Sequence, residues 1–271
     1  MTVLIGADPE VFVKQNGQIV SGYGLIPGTK EQPYPVPKGA IQVDGMALEF
    51  NIVPAETSVE FVSNITSVLE ILKKMVPDHE LVLEAVAKFD KSYLDKQPKD
   101  AVRLGCDPDY NAYTERRNKS PDQRKLFRTA AGHIHIGWTN DIDIYDPEHI
   151  QTCIKAVKNL DIMLGVPSVL FDNQTERREL YGKAGAFRPK PYGVEYRVLS
   201  NKWLQSIKLM EFVYTTTFKT INDLFNGKDL TQIVNNAVEC IDNSNKELAA
   251  HIVKTMGMEP DYVLELGRCT E

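Results

Sequence analysis

Apolar and polar residues alternate with period two in several short stretches of the chain, and each such stretch predicts a strand with one greasy and one polar face. Pro9 to Gln15, Asn16-Gly17 and Gln18 to Ser21 read as a β-hairpin, because Asn-Gly accepts the positive φ angles of a two-residue turn. Ile41 to Val43, Asp44-Gly45 and Met46 to Ile52 repeat the device. In its second arm Met46, Leu48, Phe50 and Ile52 alternate with Ala47, Glu49 and Asn51. Gly22 to Gly39, rich in Gly and Pro, is expected to be an ordered loop over the sheet. Glu80 to Phe89, Ala130 to Trp138 and Tyr192 to Leu199 are further expected strands.

Helical spacing takes over elsewhere. Thr57-Ser58-Val59-Glu60 is a capping-box start for a helix ending near Met75, with Phe61, Val62, Ile65, Leu69, Leu72 and Val76 as its core stripe. Pro147 to Leu164 predicts an amphipathic helix with Pro in its first turn. From about Lys202 onward the chain is expected to be mainly helical, and Ile233, Val234, Ala237, Val238 and Ile241 suit a core helix. Lys99 to Arg128 is polar and partly basic, as a long functional loop or lid would be. No repeat or flexible linker interrupts the pattern. It predicts a single α+β domain over residues 1–271 with a mostly antiparallel sheet.

Composition works by exclusion. With 271 residues and 42% hydrophobic content the chain can bury a core, so disorder is excluded as its main theme. Lys plus Arg 31 against Asp plus Glu 37 gives a net charge of −6, and no nucleic-acid partner is expected. No apolar stretch suits a bilayer span or a signal-peptide core, and Cys106, Cys153, Cys240 and Cys269 show no zinc-site spacing. A cytoplasmic protein with no membrane partner is the expectation.

The candidate chemistry lies on the polar strand faces. Asp8 and Glu10, Glu49 and Asn51, His133 and His135, and Glu195 and Arg197 are each two residues apart, so each pair points to one side of its strand. Phe12, Phe50, Ile134 and Val194 would hold the opposite face against helices. Any one pair has a plain structural reading: a turn at Asp8-Pro9, hydrogen-bonded histidines at a sheet edge, a salt-bridge ladder for Glu195 and Arg197. The four together predict a charged sheet face that is costly unless ions and a charged ligand fill it. Small residues beside the histidines would allow close approach. Several carboxylates with few histidines suit Mg²⁺ better than Zn²⁺. Arg177, Arg178, Arg188 and Arg197 could clamp phosphate or carboxylate. Carboxylates for Mg²⁺ facing arginines is a layout for phosphoryl transfer. No phosphate-binding Gly-rich loop is present, so an ATP site would have to sit on the sheet face.

Gly6-Ala7-Asp8-Pro9-Glu10, Gln42-Val43-Asp44-Gly45 with Glu49-Phe50-Asn51, Gly132-His133-Ile134-His135, and Tyr181-Gly182 through Glu195-Tyr196-Arg197 together resemble phage-type amidoligases. These are type 2 carboxylate–amine ligases of the glutamine synthetase-like superfamily, and the resemblance covers about residues 1 to 55 and 100 to 205. It implies a glutamine synthetase-like catalytic domain: a half-barrel antiparallel sheet with helices on the outer face and ATP and Mg²⁺ on the inner one. It implies Glu10, Asp8, Glu49, His133 and Glu195 as metal ligands. His135, Arg197, Arg177 and Arg178 would bind the nucleotide, and Arg188, Arg197 and His133 would be catalytic. The implied reaction joins a small-molecule or peptide carboxylate to an amine through an acyl phosphate, behind a lid formed by residues 103–128 or 22–39. Asp107 or Asp109 could accept the amine proton.

The chain is much shorter than glutamine synthetase, which leaves its ring assembly and glutamate specificity behind; a homo-oligomer stays possible. Two other readings compete. A metal-dependent hydrolase would use His133, His135 and carboxylates to activate water, leaving the arginines without a task. A non-catalytic module would use the charged face to bind an anionic partner.

Overall fold

The computed structural model describes residues 2–104, 109–122 and 124–268. The first hairpin forms as its turn chemistry dictates: β1 (Leu4–Gln15) and β2 (Gln18–Val20) flank Asn16 and Gly17, at φ 51° and 80°. The Gly/Pro-rich loop contains a short strand of its own, β3 (Tyr34–Val36), paired with β4 (Gly39–Asp44). Asp44 pairs with Ala47, so the next turn is Gly45-Met46, one residue later than Asp44-Gly45, and β5 runs Ala47–Ile52.

Helix α1 (Ser58–Met75) begins with the Thr57 side chain accepting from Glu60 N, while the Glu60 carboxylate accepts from Glu56 N. Its buried face is Phe61, Asn64, Ile65, Val68 and Leu72, rotated slightly from the apolar stripe because Asn64 satisfies itself on Val53 O. The segment expected as one strand from Glu80 to Phe89 is two, β6 (Glu80–Val82) and β7 (Val86–Lys88). Gln174 breaks it by accepting from Val86 N and donating to Glu84 Oε2.

Short pieces follow: α2 (Lys91–Leu94), α3 (Lys99–Val102), β8 (Tyr110–Asn111), β9 (Arg116–Arg117) and β10 (Phe127–Thr129). The polar segment 99–128 therefore carries small elements instead of being loop throughout. Then come β11 (Gly132–Gly137) and α4 (Pro147–Leu160), capped by Asp146. A single π turn at Asp161–Gly165 separates α4 from α5 (Val166–Phe171), where one continuous helix to Leu164 is expected from the sequence. Strand β12 (Ala186–Lys190) has no counterpart among the expected elements, and it pairs with β13 (Gly193–Tyr196). The remainder is helical, in α6 (Ile207–Phe225), α7 (Ala237–Asp242), α8 (Lys246–Thr255) and α9 (Pro260–Leu266). In the tail stripe Val234, Ala237 and Ile241 are buried, but Ile233 is exposed.

With 40% helix and 23% strand the protein is α+β. Its main sheet runs β3-β4-β5-β1-β11-β13-β12-β8-β9, every neighbour antiparallel. One face is apolar. Ile5, Ala7, Val11, Phe50, Ile134, Val194 and Tyr196 are buried there in one cluster with residues of α1, α4, α5 and α6. The other face is polar at its centre and roofed at one end by a second cluster of Phe12, Met46, Ala47, Phe89, Ala101 and Ala130. Phe12 thus belongs to the Asp8–Glu10 side of β1, as period two requires, and not to the helix-packed side with Phe50. Among the described residues no helix is long and apolar enough to cross a membrane.

Candidate active site

Antiparallel register brings the polar pairs together, since directly opposed residues share a face. Asp8 opposes His133, His135 opposes Glu195, and Glu195 opposes Arg188. On the other side of β1, Glu10 opposes Glu49, which opposes Gln42. A charged row thus crosses six strands. A Cβ on Gly132 would lie 2.3 Å from Trp203 Nε1, so its small size admits Trp203 and not a ligand.

The tightest group is Asp8, His135 and Glu195, whose ligand atoms all lie within 4.8 Å of one another. His135 Nε2 is 3.1 Å from Asp8 Oδ2, and its Nδ1 hydrogen-bonds the Tyr192 hydroxyl. Glu195 is 1% exposed at its side chain and gathers cations: Arg197 Nη1, Arg188 Nη1 at 3.4 Å and Lys190 Nζ at 2.8 Å. Asp8 Oδ1 and Glu195 Oε2 are buried and make no well-directed hydrogen bond, although His133 Nδ1 and Lys190 Nζ lie near them. Buried carboxylate oxygens beside an imidazole and held only by ion pairs fit a divalent cation. His133 Nδ1 lies 3.3 Å from Asp8 Oδ1 and 3.4 Å from Arg197 Nη1. Asp109 Oδ2 is 3.4 Å from Arg197 Nε, which brings one of the two candidate loop acids to the site; Asp107 lies outside the described residues.

The surroundings set opposite protonation tendencies along the row. Burial would raise Asp8, but His135 and His133 outweigh it and hold the carboxyl well below its usual range. Burial and the Arg197 charge depress His133 to about 4, so it is neutral at pH 7. His135 is raised instead, Asp8 prevailing over burial. Glu195 stays ionised because Arg197 overcomes its burial. Glu10 is pushed up to about 7 by burial and the nearby Asp44 charge, although Ala131 N donates to it at 2.8 Å. Glu49 is raised well above the carboxylate range by burial and by Asp8, Asp44 and Glu10, despite the 2.8 Å hydrogen bond from Gln42.

Two cavities meet at Asp8 and Glu49. One is bounded by Glu10, Asp44, His133, Arg188 and Arg197, with Lys30 from the 22–39 loop and Arg103, Leu104 and Arg128 from the 99–128 segment. The other, about 690 Å³, is lined by His135, Gln42 and Asn51 and by the apolar walls of Ile52, Pro54, Trp138 and Tyr192. Both segments expected as lids therefore contribute side chains to the first cavity.

Arg177 and Arg178, expected to bind nucleotide, line neither of these two cavities, although the Arg177 charge acts on Glu10 and Arg197. Arg177 Nη1 donates to Val198 O, under a turn at Gly182 where a Cβ would come 1.7 Å from that nitrogen. Arg178 donates to Ser244 Oγ. These bonds tie the 3₁₀ turn at Thr175–Glu179 to the segment after β13 and to the turn between α7 and α8. Lys190 and Tyr192 join the site without being among the residues expected there from the sequence. For Lys190 the signal was present in Arg188-Pro189-Lys190, a period-two cationic pair before a Pro-Tyr-Gly turn.

The protein is an α+β fold with an acidic and histidine-bearing sheet face that lies between two cavities. Residues 127–224 match the family model described as phage phiEco32-like COOH.NH2 ligase-type 2. That match supports the phage-type amidoligase family and a ligase function, as the motifs imply. It spans β10 to the last turn of α6 and so includes His133, His135, Arg188, Glu195 and Arg197, while Asp8, Glu10 and Glu49 precede it. No curated protein matches the chain.

Proposed function

We propose that the protein is an ATP-dependent carboxylate–amine ligase working on the inner face of a glutamine synthetase-like half-barrel sheet. The observation that supports this most is the junction at Asp8, where ion-ready donors separate an arginine-bearing cavity from a larger one with aromatic walls. The larger cavity suits the nucleoside, with Trp138 and Tyr192 beside the base and its phosphates directed toward His135 and Asp8. Asp8, His135 and Glu195, with Glu10 and Glu49 close by, would hold Mg²⁺, which when bound neutralises phosphate charge.

Arg188 and Arg197 face the first cavity and would meet both the substrate carboxylate and the transferring phosphoryl group. Neutral His133 can donate a hydrogen bond there without adding charge. The carboxylate oxygen attacks the γ-phosphorus and ADP leaves. The amine nitrogen then attacks the acyl carbon, giving amide and inorganic phosphate. Asp109, paired with Arg197, would take the amine proton. Lys30, Arg103 and Arg128 lie on segments that would exclude water from the acyl phosphate.

A hydrolase built on the same donors leaves the arginines and the second cavity without a task. The test is phosphate release from ATP in a matrix of acids and amines. Release that requires one acid and one amine together supports the ligase; release that needs neither, or amide hydrolysis without ATP, contradicts it.

A further inference from the structure

The turn joining β12 to β13 sits over the Asp8–His135–Glu195 group and delivers two side chains to it. Lys190 and Gly193 are paired, so Pro191 and Tyr192 form the turn. Gly193 has φ 151°, and a Cβ there would come 2.1 Å from Ile136 O, so the turn is pressed against β11. Tyr192 reaches His135 Nδ1, and Lys190 Nζ lies 2.8 Å from Glu195 Oε2.

We propose that Lys190 is a displaceable counter-cation, its ammonium standing on Glu195 Oε2 where a divalent ion binds and withdrawing when the ion arrives. The inference rests on the metal-dependent reading above. Its basis is the unequal tethering of the cations around Glu195. Arg197 and Arg188 approach Oε1, and Arg197 is buried and also paired with Asp109. Lys190 Nζ approaches the other oxygen, Oε2, at 2.8 Å, on a carboxylate that belongs to the group with Asp8 and His135. Its side chain is 30% exposed against 1% for Glu195, so an exit toward solvent is open. An ammonium is a point charge on a flexible stem and moves without disturbing the strand, whereas a guanidinium fork is held by its geometry. A divalent ion on one oxygen repels an ammonium at contact distance on the same carboxylate, which favours withdrawal of the more mobile of the two cations. Lys190 thus keeps a buried carboxylate compensated when no ion is present. It also sets the affinity the ion must exceed.

The experiment is calorimetric titration of Mn²⁺ alone, without nucleotide, into the full chain and its Lys190→Met and Lys190→Arg variants. The Met variant is expected to bind Mn²⁺ about tenfold more tightly, and the Arg variant no more tightly than the parent. A lysine that merely props the hairpin would give the opposite order, since its loss would loosen the site. Unchanged or weaker binding by Lys190→Met overturns the proposal. If Lys190→Met does not fold, Lys190→Gln removes the charge with a polar end and carries the same expectation and the same refutation. A parent chain and Met variant that both ignore Mn²⁺ would overturn the metal reading and this inference together. Binding of Mn²⁺ with the expected order but no binding of ATP would leave Lys190 assigned and sink only the ligase.

Discussion

His135 stands between Asp8 and Tyr192, its Nε2 3.1 Å from the carboxylate and its Nδ1 hydrogen-bonded to the phenol. With Nδ1 committed to the tyrosine, Nε2 is the nitrogen presented to the Asp8–Glu195 gap. A tyrosine that fixes the ring in this way acts on a bound ion through the histidine. Tyr192→Phe is therefore expected to weaken Mn²⁺ binding about 10-fold or more while leaving the melting temperature almost unchanged, as calorimetry and thermal denaturation would measure.

Glu10 gives the metal-free protein a definite pH dependence. Its folded-state pKa lies near 7, above the ordinary carboxylate value, so folding takes up a proton. Stability contributed by the protonated form is present below the unfolded pKa and is lost as pH rises toward 7. Thermal denaturation in EDTA should show wild type losing stability from pH 5 to 8, with Glu10→Gln flatter by about 1–3 kcal/mol across that window. Mg²⁺ should raise the melting temperature more at pH 8 than at pH 5.5.

Arg188 reaches the first cavity from β12, with Nη1 3.4 Å from Glu195 Oε1. Arg188→Ala should lower turnover by roughly 100-fold or more with the fold intact, as loss of one charge-stabilising donor does. Arg197 differs, since removing it strands the buried Glu195. Arg197→Ala should cost about 3–5 kcal/mol of stability besides its activity, measured by denaturant unfolding.

The reverse side of the sheet provides a contrast. Asp161, fully buried in the π turn, accepts from Tyr196 OH at 2.8 Å and Gly185 N at 2.7 Å, and burial pushes it up to about 7. Tyr196→Phe should cost about 1–3 kcal/mol by leaving an oxygen short of its donor. Mn²⁺ affinity should not change, because Tyr196 points away from Glu195.

Much of this face was legible from period two alone. Asp8 with Glu10, His133 with His135 and Glu195 with Arg197 needed only to be on strands to converge, and antiparallel register did the rest. What stayed hidden depended on which strands neighbour one another: the pairing of Glu49 with Gln42, the arrival of Lys190 and Tyr192 over Glu195, and the role of Asp161. Arg177 and Arg178 hydrogen-bond Val198 O and Ser244 Oγ; a guanidinium suits a backbone carbonyl as well as a phosphate, and sequence alone does not say which it meets. Phe12 departs from its expected face. Its parity with Asp8 placed it on the polar side, where the small second cluster receives it.

The central claim is that ATP binds this sheet face through a divalent ion held by its carboxylates and His135. The most direct measurement is calorimetric titration of ATP into wild type and Glu195→Gln, each with Mg²⁺ and each with EDTA. Saturable binding to wild type that requires Mg²⁺ and weakens at least tenfold in Glu195→Gln is the predicted result. Equal binding in EDTA, or no ATP binding under any of the four conditions, would contradict the account.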